Sequence, residues 1–357
     1  MHVDVRWIAG PERRATRFGE SPRYREGLHR LSPKAYAWMV PNGSWGETNL
    51  GLVDCGGRSL LVDTAWDLAF THEFLLCARE LVEKSPVECV VNTHSDGDHF
   101  WGNQLFAGKR IIGTHACIAR MDHVTPRTLR ALTASGPWMR RVRIGGISEL
   151  GGYVEGMFSP YEFTGIEVTK PGEGFSGEKT ITLGTVEVVL REVGPAHTDG
   201  DAIVYLPAEK VLYAGDLLFV GVTPVMWAGP VENLLSGLRQ LLSLPAAVLV
   251  PGHGPLATRD DVQRVIDYWQ FVHEAIHQRF RSGMAPAEAA RDVLVGDAFR
   301  RSAFARWDAP ERLVTSADTM YRNWGRPWSR LPEKIATIDL LRRQARVAAA
   351  LSRGAAG

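Results

Sequence analysis

His94-Ser95-Asp96-Gly97-Asp98-His99 follows almost directly on the apolar run Val87–Val91. A strand-like run that ends in histidines and aspartates gains nothing in packing. It does place two imidazoles and two carboxylates on one loop, which is what a polar metal site requires. The stretch therefore predicts metal-assisted chemistry carried at a strand end. Further ligands are then expected at other strand ends.

Three such positions exist. His197 lies in Val193-Gly194-Pro195-Ala196-His197-Thr198-Asp199-Gly200-Asp201. Asp216 closes Val211-Leu212-Tyr213-Ala214-Gly215-Asp216, and His253 lies in Val250-Pro251-Gly252-His253-Gly254-Pro255. One histidine after a strand is more often a hydrogen-bonded turn residue than a ligand. Four loops of this kind in one chain change the weighting, because ligands from separate strand ends can converge at one sheet edge.

The order of elements supports that picture. Strand-type runs cover residues 35–40, 49–54 and 59–63, with Gly56-Gly57 as a turn signal. Residues 68–84 have helical spacing and stop before Pro86. Short strands follow at 87–91 and 109–113, and a helix starts at His115. Strand patterns return at 180–192, 202–207, 211–215 and 247–250, and helical patterns fill 260–281, 285–294, 311–323 and 333–351. This alternation predicts two sheets packed face to face with helices outside. Residues 1–34, rich in Arg and holding Pro11, Pro22 and Pro33, read as an irregular arm. Residues 123–178, rich in Gly, Pro and aromatics, read as an insertion of weak regular structure forming a lid. Residues 258–357 read as a helical C-terminal extension, and residues 35–257 as the catalytic domain.

At 357 residues with 45% hydrophobic and 23% charged residues, the chain has the composition of a soluble globular protein. Its net charge of +1 gives no reason to expect nucleic acid or an anionic membrane as partner. Residues 1–10 lack the apolar core of a signal peptide, and no segment is apolar enough to span a bilayer. Cys55, Cys77, Cys89 and Cys117 are scattered, without a CxxC pair, as in a cytoplasmic protein with reduced thiols. A small-molecule substrate and, on base rates, a homodimer are the expected partners.

Taken together, Asp63 after its strand, the loop at 94–99, His197, Asp216 and His253 resemble the five recurring motifs of the metallo-β-lactamase-fold hydrolase superfamily. The resemblance runs from about residue 35 to 255. It implies an α+β fold, an αββα sandwich of two mixed β-sheets flanked by helices, and two adjacent metal ions. His94, Asp96 and His197 would hold the first ion; Asp98, His99 and His253 the second; Asp216 would bridge them. Asp63 would orient the ligand loop. The implied activity is hydrolysis of an ester, thioester, lactone or amide in a small, moderately apolar molecule by a metal-activated hydroxide, with Asp98 orienting the nucleophile. Zinc is the expected metal.

Asp96 stands where the common motif has histidine. It either ligates the first ion directly, stops short of it and leaves a single-ion site, or binds through water; loop capping is its plain alternative role. A third carboxylate favours harder ions such as Fe or Mn. The competing function is thus a diiron oxygenase or oxidoreductase on the same fold, although no flavin-binding or rubredoxin-like segment accompanies it. A non-catalytic binding module is disfavoured, since the other ligand positions hold the expected residue types.

Trp45, Phe100, Trp101, Met226 and Trp227 adjoin the site loops and are expected to form an apolar substrate wall, with ordinary core packing as the alternative. His115 and His123 fit no ligand spacing. Asp201 is expected to cap its own loop, and Asn103 a turn. Cys55, Ser44, Ser95 and Ser176 lack the partners of a nucleophile.

Overall fold

A computed structural model describes residues 5–327 and 332–355 of the chain. The first sheet has eight strands in sequential order: β1 (Arg6–Ala9), β2 (Gly27–Arg30), β3 (Ala35–Met39), β4 (Leu50–Asp54), β5 (Ser59–Val62), β6 (Val87–Val91), β7 (Arg110–Thr114) and β8 (Glu173–Phe175). Pairing is antiparallel from β1 to β5 and parallel from β5 to β8. The second sheet runs β13-β12-β11-β10-β9, from β9 (Glu178–Leu183), β10 (Val186–Glu192), β11 (Ala202–Leu206), β12 (Val211–Tyr213) and β13 (Val248–Val250). Only β12 and β13 pair in parallel there.

Alternation within the strands builds the layers. In β3, Ala35, Ala37 and Met39 join the core between the sheets, while Tyr36 and Trp38 join the core under the helices. In β11, Ala202, Val204 and Leu206 face the other sheet, and Ile203 and Tyr205 face helices. Both faces are covered, so both strands are buried at every position. Each large side chain fully buried in this way contributes about 1.5–3 kcal/mol.

The C-terminal helices complete the outer layer of the second sheet. The helix Arg259–Arg281 starts at a capping box of Thr258 and Asp261 and buries Val262, Val265, Ile266, Trp269, Val272 and Ile276 along one face. Tyr268, Leu313, Val314, Ala317 and Leu340 belong to the same core. Trp328 lies outside the described residues.

Three expectations are corrected. The arm at residues 1–34 is not wholly irregular: it supplies β1 and β2, four residues each, too short to show alternation and joined by backbone pairing. Residues 123–178 hold two helices, Pro126–Met139 and Ile147–Phe158, the first capped by Thr125. Their glycines are contact points rather than breakers: a Cβ on Gly151 would lie 2.5 Å from the Arg140 nitrogen and 2.8 Å from the Gly136 carbonyl of the other helix. The run at 180–192 is a hairpin, turned at Gly184 with φ +56°.

The topology gathers the polar loops. Asp63 follows β5, residues 94–99 follow β6, Asp216 follows β12 and His253 follows β13; His197 sits in the β10–β11 connection. Parallel pairing of β5 with β6 and of β12 with β13 puts these strand ends at the same edge. The Ala202 amide donates to the Thr93 carbonyl at 2.7 Å, locking one sheet's loop to the other. Gly252 has to be glycine, since a Cβ there would lie 1.9 Å from Asp216 Oδ1.

Candidate metal centre

Each histidine at this edge has its ring orientation fixed from behind. His94 Nδ1 lies 3.0 Å from Thr93 Oγ1, and that hydroxyl donates to Asp63 Oδ2 at 2.7 Å. The hydroxyl hydrogen is thus committed, and His94 Nδ1 must be the donor. His99 Nδ1 donates to Asp63 Oδ2 at 2.9 Å, His197 Nδ1 to the Val225 carbonyl at 2.7 Å, and His253 Nδ1 to the Glu47 carbonyl at 3.1 Å. With Nδ1 carrying the proton in all four neutral rings, each Nε2 presents a lone pair. This is how metal-binding imidazoles are held.

The Nε2 atoms surround Asp216. They lie 3.2 Å from its Oδ1 for His99, and 3.3, 3.4 and 3.8 Å from its Oδ2 for His253, His197 and His94. Asp96 Oδ2 is 3.2 Å from His197 Nε2; Asp98 Oδ2 is 3.5 Å from His253 Nε2. Donor atoms about 2.0–2.1 Å from a tetrahedral ion sit about 3.3 Å apart, so this spacing fits a metal. Ligand atoms fall into three groups within 4.8 Å: His94, Asp96 and His197; Asp98, His99 and His253; and His94, His99 and Asp216. The buried Nε2 atoms of His94 and His99 and the buried Asp216 Oδ1 have no hydrogen-bond partner among the described residues. Buried orphans of this kind cost free energy unless an ion takes them.

Charge tells the same story. Burial opposes a charged His99, yet Asp216, Asp98 and Asp63 outweigh it and raise its pKa. Burial likewise opposes charge on His197, but its hydrogen bond with Asp96 and the charge of Asp216 push it up to about 9. His94 moves the other way, lowered by burial and by its histidine neighbours. Asp216 is held low against the cost of burial by His253 and His99. Three carboxylates in a buried space call for cations, and without an ion protons take that place.

Asp63 braces the centre. It accepts from the Thr93 amide at 2.7 Å as well as from the Thr93 hydroxyl and His99. Its backbone is left-handed, φ +62°, which costs a non-glycine residue of order 1–3 kcal/mol. Asp201 caps its loop, as expected, through Thr198, and burial pushes its carboxyl up to about 6. Asn103 does more than cap a turn: buried, it bonds Asn92 and the Thr169 carbonyl.

A cavity of about 470 Å³ opens over the centre, with Asp96, Asp98, His197, Asp216 and His253 on its floor. Of the expected wall, Trp45, Trp101 and Trp227 line it, Trp101 from a core position at 0% exposed; Phe100 and Met226, equally buried, do not line it. The segment 123–178 does contribute, through Leu129, Met157 and Phe158 among others, and so does the helix Glu333–Ala355 through Thr337, Ile338 and Leu341. His123 sits at the rim, bonded to Glu333. His115 does not line the cavity. The sequence reading missed Thr48, whose hydroxyl donates to Asp98 Oδ2 at 2.8 Å. Its signal was the polar trio Glu47-Thr48-Asn49 before an apolar strand, buried at 0%, 0% and 4%. It also missed Arg312, which lines the cavity.

The chain shares 28% identity over 116 residues with the alpha subunit of 2,4-dinitroanisole O-demethylase from Nocardioides sp. (strain JS1661), 31% of this chain and 34% of that protein. It shares 28% over 137 residues with hydroxyacylglutathione hydrolase from Synechococcus sp. (strain JA-3-3Ab), 37% of this chain and 53% of that one. The matches thus span about a third and about half of these relatives. Among solved structures, a stereoselective inverting sec-alkylsulfatase from Pseudomonas sp. superposes with a TM-score of 0.60 at 18% identity, over 84% of this chain and 50% of that one, which is a likeness of fold. Residues 43–253, more than half of the chain and enclosing every loop of the centre, match the model of the metallo-beta-lactamase superfamily, and the chain belongs to that superfamily.

Proposed function

We propose that the protein is a dinuclear metallohydrolase that cleaves an ester, thioester, lactone or amide bond in a small, moderately apolar molecule. The observation that carries this reading is the set of orphaned ligand atoms around Asp216 at the floor of an aromatic-walled cavity. His94, Asp96 and His197 would hold one ion, Asp98, His99 and His253 the other, and Asp216 both. When bound, such ions supply Lewis acidity and make water acidic enough to ionise near neutral pH.

The chain's own groups supply positioning. Thr48 ties down Oδ2 of Asp98, and Asp98 lines the cavity. Asp98 is then placed to accept a hydrogen bond from the attacking water and to aim it at a carbonyl. Trp45, Trp101 and Phe158 exclude solvent around the apolar part of the substrate. Turnover of aryl ester, thioester and lactone probes should fall about a hundredfold or more in Asp98→Ala with an unchanged melting temperature. Undiminished turnover would remove Asp98 from its role.

One observation supports a second reading. Asp96 brings a third carboxylate to the centre and bonds His197 at 3.2 Å, a donor set that suits Fe or Mn better than the histidine-rich alternative. On that reading the protein consumes oxygen with an external reductant. Two Fe per chain together with oxygen uptake would favour it over hydrolysis.

A further inference from the structure

Arg312 is among the most deeply buried large side chains, 2% exposed, yet it has no acidic partner within 4.0 Å among the described residues. Buried guanidinium groups are normally paired, because an uncompensated charge in the interior is costly. Its contacts are few for a group with five N–H donors. Nη1 reaches the Thr223 carbonyl at 3.5 Å, the guanidinium carbon lies 4.3 Å from the Trp45 ring centroid, and Nε has no hydrogen-bond partner among the described residues. The neighbouring Glu311 is turned away, accepting from Tyr153 at 3.0 Å.

This side chain lines the cavity whose floor carries Asp96, Asp98 and Asp216. Two divalent ions more than neutralise those three carboxylates, so the loaded floor leaves Arg312 uncompensated. The other cations on the wall are paired or solvated: Arg120 pairs with Asp199 at 2.8 Å, Arg322 lies 3.4 Å from Asp318, and Lys334 is exposed. Arg312 also lies outside residues 43–253, so this wall is contributed by the C-terminal extension. The guanidinium carbon sits over the Trp45 ring, a contact that restrains the planar fork.

We infer that Arg312 is the receptor for an anionic group on the substrate, and that the cavity takes a molecule with an apolar body and one carboxylate. The planar fork matches a carboxylate in two parallel hydrogen bonds. The inference rests on the proposed hydrolytic site for the meaning of the cavity, and it narrows the substrate class to acidic esters or their analogues. Arg312 acts in this as a binding and specificity residue.

The test is calorimetric binding of two unreactive probes, phenylbutanoate and the neutral 4-phenylbutan-1-ol, to the metal-loaded protein. The carboxylate should bind at least about tenfold more tightly than the alcohol, as one buried charge-assisted hydrogen-bonded contact implies. Arg312→Gln should abolish that preference and leave alcohol affinity nearly unchanged. Arg312→Lys keeps the charge but loses the fork, and should retain only part of the preference. If Arg312→Gln does not fold, an unreduced preference in Arg312→Lys overturns the inference. So does a preference that survives in Arg312→Gln, or none in the wild type. Neither probe turns over, so failure here leaves the hydrolytic reading standing. Conversely, a protein that hydrolyses no ester can still show the carboxylate preference.

Discussion

The two halves of the centre are built to different standards. In the half formed by Asp98, His99 and His253, every side chain is held by a group behind it: Thr48, Asp63 and the Glu47 carbonyl. In the other half, His94 and His197 are braced by Thr93 and the Val225 carbonyl, but the Asp96 carboxylate has only His197 as a hydrogen-bond partner among the described residues. The Asp96 side chain is 34% exposed, against 14% for Asp98 and 5% for Asp216. Ligands locked by a second set of hydrogen bonds retain metal better than loose ones. On the proposed two-ion reading, the comparison teaches that the departure from histidine at residue 96 would loosen one ion without dismantling the other.

Substitutions can break or sharpen that contrast. Asp216→Ala takes a ligand from both halves, and should cost about a thousandfold in turnover with loss of both ions; retention of either by elemental analysis would separate the halves completely. Asp63→Ala removes the brace behind His99 and, through Thr93, the one behind His94, and should weaken metal affinity about 10–100-fold on competition with a chelator. Asp96→Ala should release one ion and keep the other, whereas Asp96→His should tighten the loose half; equal retention in all three proteins would mean that residue 96 holds no metal. Thr48→Val should act on the rigid half alone, lowering turnover by about tenfold or less with full metal content.

The fold was legible because ligand type and strand pattern coincide. Apolar runs ending in His or Asp mark sheet edges, and Gly252 and Gly215 beside Asp216 mark where backbones crowd together. The cavity was far less legible. Phe100 and Trp101 are adjacent in sequence, equally aromatic and both buried, and of the two it is Trp101 that borders the cavity. Arg312 reads as an ordinary helix-flanking arginine; its significance comes from Trp45, far away in sequence, and from the absence of a carboxylate partner among the described residues, which no local pattern shows. The helices at 126–139 and 147–158 were hidden because Gly136 and Gly151 serve close helix contact, a tertiary reason that overrides helix propensity.

The central claim is a two-ion centre with one tight and one loose half. The most direct measurement is the metal content per chain of wild type and Asp96→Ala during stepwise dialysis against a chelator. The account predicts about two ions in the wild type, lost in two separate steps, and a single step from about one ion in Asp96→Ala. A wild type that holds one ion, or that loses two in a single step shared by the variant, would contradict it.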